Sequence, residues 1–128
     1  MFSALLTYLE NSGALGKGAL LVGLLLFVAG AVMITGRSTR ARFAVFLALA
    51  LLPLAMGAIG AAVGHSVLDE VAASGDTYTP AQLEAGRANA AIPLEIGAAF
   101  TGLLLIVGAV GLFLAGEARR QDGAAPAR

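Results

Sequence analysis

The sequence predicts an all-α, polytopic membrane protein with three transmembrane helices, the last two forming a long hairpin with extramembrane arms. Three observations predict it. Hydrophobic residues make up 59% of the chain and charged residues 12%, about half the charged share of an ordinary soluble domain. The apolar residues gather into three runs, 18–35, 43–64 and 94–116. Each is close to the about 20 residues that carry an α-helix across about 30 Å of hydrocarbon. Between the second and third runs, residues 65–93 keep a helical pattern while becoming more polar, so both helices outlast the bilayer. A chain of 128 residues corresponds to one domain, here 1–120, followed by a Gly-, Ala- and Pro-containing tail, 121–128, expected to be disordered.

Composition excludes several functions. A net charge of +0 lacks the basic face that a nucleic-acid partner needs. With no cysteine there is no disulfide, thiol nucleophile or thiolate metal site. The 17 glycines suit membrane helices, where small residues let backbones approach.

Along the chain, Phe2, Leu5, Leu6 and Leu9 form one apolar stripe on a short surface helix, which Asn11-Ser12-Gly13 ends. Gly18 to Thr35 is read as the first span rather than a cleaved leader. It is longer than a leader's apolar region, and Glu10 weakens the basic character before Lys17. Gly36 ends it, and Arg37, Arg40 and Arg42 follow within a short loop. Such loops stay in the cytoplasm, and Arg119 and Arg120 after the third span agree. The amino terminus is therefore expected outside and the carboxyl terminus in the cytoplasm, in a multi-pass protein of the inner (plasma) membrane.

Pro53 falls inside the second run, where it removes a backbone hydrogen bond and kinks the helix. The residues after it are small. Gly60 and Gly64 form a GxxxG pair, and Gly57 with Ala61 repeats the spacing, giving a face suited to close helix packing. Past Gly64 the pattern turns amphipathic: Val67, Leu68, Val71 and Ala72 share one face, and His65, Asp69 and Glu70 the other. Ser74-Gly75-Asp76 stops this arm, with Gly75 placed for a left-handed cap. Thr79-Pro80-Ala81-Gln82 starts the next as a capping box with proline at the first helical position. Pro93 is expected to kink the third long helix where it enters the bilayer.

The candidates for chemistry are few. Glu95 stands just beyond Pro93 at the mouth of the third span. An acid there either anchors at the headgroups or serves an ion path or a partner. His65 and Asp69, four residues apart, could form a metal-binding or proton-relay pair, or simply a solvated face. Thr101, the hydroxyl of the third run, completes the ion-path or partner-pairing candidates. No nucleophile with a base, phosphate loop or dinucleotide fingerprint is present, so neither an enzyme, a cofactor nor a metal site is expected.

The glycine-rich segment from Leu52 to Gly64, a short turn, and the small-residue segment from Gly86 to Gly97 together resemble the last two spans of the MotA/TolQ/ExbB proton-channel family. The surface helix and the basic end of the first span also resemble that family. The family's large cytoplasmic insertion is reduced here to Gly36–Arg42, and Ala61 stands at the place of its channel-lining threonine. The resemblance implies a small proton-channel or stator subunit in the lipid bilayer, assembling as a homo-oligomer or hetero-oligomer through small-residue faces. The alternative is a non-conducting membrane scaffold or accessory subunit whose exposed arms bind a protein partner.

Overall fold

The computed structural model describes residues 12–36, 38–74 and 78–123, with side chains as far as Glu117. Every element in it is a helix: α1 (Gly13–Thr35), α2 (Arg40–Leu49), α3 (Leu52–Ala73) and α4 (Pro80–Gly123). Three stretches are long and apolar enough to cross a membrane: Gly13–Thr35, Arg40–Ala73 and Pro80–Glu117, of 23, 34 and 38 residues. At 1.5 Å per residue the second and third reach roughly 50 Å or more, well beyond a hydrocarbon core of about 30 Å. The expected surface helix, Arg37, the Gly75 cap and residues 124–128 lie outside the described residues. Helix α4 itself runs on to Gly123, past the expected start of the tail.

Local chemistry sets the helix boundaries. Gly13 opens α1 at φ 64°, a left-handed conformation that glycine adopts without steric cost. The second span divides at Ala50–Leu51, where α2 ends and α3 begins, and Pro53 sits in the first turn of α3. Without an N–H, and with its ring pressing on the preceding turn, Pro53 cannot continue the ladder. Pro93 behaves differently: α4 stays helical through it, where a break of the kind seen at Pro53 could have formed. At the head of α4 the capping box is formed. The Thr79 N–H donates to Gln82 Oε1 at 2.8 Å, and the Gln82 N–H donates to Thr79 Oγ1 at 3.3 Å.

The helices are held together by small residues that admit large ones. Along α1, Gly16, Gly23 and Gly30 recur every seven residues and face Pro93, Phe100 and Val107 of α4, which rise by the same step. Helices α1 and α4 therefore run parallel, in the 3.5-residue repeat of left-handed coiled packing. Against α3 and α2 the numbering runs the other way: Gly64 meets Ala90, Gly57 meets Pro93, and Phe43 meets Gly111. Ala19 packs with Ile92 and Ile96 in one cluster, and Phe46 and Ala50 pack with Leu104 in another. The outer surface remains apolar, with Leu25, Val32, Val45, Ile59, Ile106 and Phe113 exposed. A water-soluble domain does not carry so continuous an apolar exterior, whereas lipid accepts it.

Candidate functional site: the proline crossing

Helices α3 and α4 come closest where two copies of one short pattern meet. Pro53-Leu54-Ala55-Met56-Gly57 and Pro93-Leu94-Glu95-Ile96-Gly97 share Pro-Leu-x-x-Gly, and they cross in opposite directions. A Cβ built on Gly57 would run into the Pro93 carbonyl oxygen and lie 3.1 Å from Leu94 Cα. A Cβ on Gly97 would run into the Pro53 carbonyl oxygen and lie 3.1 Å from Leu54 Cα. Each proline carbonyl thus rests on the other segment's glycine, an approximate two-fold arrangement. Only a residue without a side chain allows backbones this close.

Thr101 completes one half of this crossing. Its hydroxyl donates to the Ala50 carbonyl at 3.0 Å and accepts from the Leu54 N–H at 3.2 Å. In an intact helix that N–H and that carbonyl, four residues apart, would bond to each other. The threonine from the third span is inserted into the ladder at the point where Pro53 opens it. Thr101 is 5% exposed and Ala50 is 0% exposed, so no bulk water could do this instead. Thr101 lies four residues after Gly97, and the corresponding position after Gly57 is Ala61, which has no hydroxyl. The asymmetry matches the backbone, broken at Pro53 and continuous at Pro93.

The remaining predicted residues fall around this crossing without forming one site. Glu95 is exposed, although Ile92 and Ile96 on either side of it in α4 are buried. His65 is exposed, and its Nδ1–H donates to the Ala61 carbonyl at 2.7 Å, turning the ring back along its own helix. Asp69 is exposed one turn further on, and no hydrogen bond joins it to His65. Of the small residues, Gly57, Gly60, Ala61 and Gly64 all face other helices of the same chain. A Cβ on Gly60 would lie 2.9 Å from Pro93 Cβ and 3.1 Å from Leu15 Cβ, and one on Gly64 2.9 Å from Ala90 Cβ. Ala61 is buried in the same seam. At the basic end, the Arg40 guanidinium lies over Gly116, and Arg42 is exposed. Among the described residues, no three His, Asp or Glu side chains gather as metal ligands would.

The crossing was missing from the sequence reading although part of it was visible. The repeated Pro-Leu-x-x-Gly and the seven-residue glycine step of α1 are both patterns in the linear sequence. The bond between Thr101 and Ala50 carries no such signal. No protein-family model, curated protein or solved structure matches the chain.

Proposed function

We propose that this chain is a small, non-conducting scaffold or accessory subunit of the inner membrane, whose extended helix ends bind a protein partner. The observation that carries this is how Thr101 is used. Among the described residues the buried polar side chains are Ser12 and Thr101, and both hydrogen bonds of the Thr101 hydroxyl go to backbone of the second span. A hydroxyl so engaged serves helix packing, whereas a proton path needs polar groups that can exchange partners. Length supports the rest. The second and third spans exceed what the bilayer requires, and their outer ends carry exposed Asp69, Glu70, Glu84 and Arg87. These ends form the arms of the hairpin in this reading, on the outer side of the membrane, with Arg40 and Arg42 inside.

One observation favours the proton-channel or stator reading as an alternative. Glu95 faces outward at the level of the crossing, where it could meet another subunit, so that a path would form between chains. Proton flux separates the two readings. The full chain in liposomes, driven by a potassium diffusion potential and read with a trapped pH dye, is expected to leak no faster than protein-free vesicles. Flux that depends on protein and is lost in Glu95→Gln would replace the scaffold with the channel.

A further inference from the structure

A groove of about 420 Å³ lies between α1 and α2 near the basic end of the bundle. Ala29 and Met33 line it from α1, Val45 and Leu49 from α2, and its surface is almost wholly apolar. Arg42 is the charged residue in its lining and stands about 10 Å along α2 from Leu49, the length of two helical turns. The groove opens sideways: Ala29, Val45, Leu49 and Arg42 are all exposed.

We propose that this groove binds one acyl chain of an anionic phospholipid, with the headgroup phosphate held at Arg42. The chemistry fits along its length. At the about 30 Å³ that a water-sized group occupies in a liquid, the space takes on the order of ten methylenes. A strip with one guanidinium at its end matches a molecule that is apolar for that distance and then negative. Basic pockets between membrane helices, on the side rich in Lys and Arg, are where anionic headgroups are held. Two other occupants fit less well. A second copy packed symmetrically on this groove would bring its own Arg42 to the same level, setting like charges together. The segment before Gly13 joins α1 about 30 Å away from Met33, at the opposite end of the helix.

The test uses the full chain in detergent, with native mass spectrometry counting retained lipid. The probes are phosphatidylglycerol and phosphatidylcholine with identical acyl chains. Wild type is expected to retain the anionic lipid over the zwitterionic one by about fivefold, the size expected of one basic residue near a charged headgroup. Arg42→Gln, a change on an exposed side chain, should bring the two lipids to equal retention. Ala29→Phe grows into open groove rather than into the core and should lower retention of both. Circular dichroism melting of each variant establishes that the bundle is intact. Equal retention of the two lipids by wild type, or an anionic preference unchanged in folded Arg42→Gln, overturns the proposal. A dimer mass that Ala29→Phe abolishes while lipid retention persists assigns the groove to a second copy instead.

Discussion

The Thr101 hydroxyl and the Ala50 carbonyl lie 3.0 Å apart, joining residues of the third and second spans where proline has opened the helical ladder. The same oxygen accepts the Leu54 N–H, so one side chain satisfies both backbone groups that the break releases. Inside an apolar bundle each group left alone would cost free energy, because no water replaces the lost partner.

Thr101→Val is therefore expected to destabilise the bundle by about 0.6–2 kcal/mol, the span found for hydrogen bonds between membrane helices. Thr101→Ser should stay close to wild type. In a Pro53→Ala background the Leu54 N–H can return to the Ala50 carbonyl, so the cost of Thr101→Val should shrink. Reversible unfolding in mixed micelles, run as a double-mutant cycle, measures the difference. An equal cost in both backgrounds would separate the hydroxyl from the proline break.

The two glycines of the crossing should respond alike. Gly57→Ala and Gly97→Ala each drive a methyl group into a proline carbonyl, which cannot swing aside as a flexible side chain could. Each should cost about 1–3 kcal/mol, as overpacking does. Gly102→Ala is the control. A Cβ there meets nothing within 4 Å, so the change should be neutral or gain up to about 1 kcal/mol from helix propensity. Thermal melts of the three variants in one detergent make the comparison, and a neutral Gly57→Ala would contradict the close approach.

Gly60→Leu should unfold the chain from within. Its side chain would press on Pro93 and Leu15 of the same molecule, whereas Leu51→Ala alters a side chain that is 51% exposed. The melt of Gly60→Leu is expected to fall at every protein concentration, and that of Leu51→Ala to change little. A loss confined to a concentration-dependent oligomer, with the monomer melt unchanged, would move Gly60 to an interface between chains.

Orientation in the membrane can be read from two serines. Ser38 lies between the first and second spans, and Ser74 follows α3 at the opposite end of the bundle. With the arginine-rich loop inside, a membrane-impermeant thiol reagent should label Ser74→Cys in intact cells and Ser38→Cys only after lysis. Labelling of Ser38→Cys in intact cells would invert the topology.

Much of the fold was legible because its causes are local. The absence of charge over a run, the proline at 53, and the Thr79–Gln82 pair each act within about one helical turn of where they stand. Proline at 93 has a different outcome. Chemically it equals Pro53, yet α4 continues through it. The difference tracks the partner: Thr101 reaches the break at Pro53, and its counterpart beside Pro93 is Ala61.

The sequence by itself determined that there are three apolar helices, where they begin and end to within a few residues, and which faces carry small residues. Those properties follow from transfer of side chains out of water and from backbone geometry, both of which are read residue by residue. Only the tertiary structure decided how the small faces are used. Registry sets Gly57 on Pro93 and Gly97 on Pro53, and it directs Thr101 to Ala50. A shift of one residue between α3 and α4 would rotate those contacts about 100° around each helix, leaving composition and hydropathy unchanged. Close packing selects among such registers through the summed fit of the whole interface, which no single stretch of sequence contains.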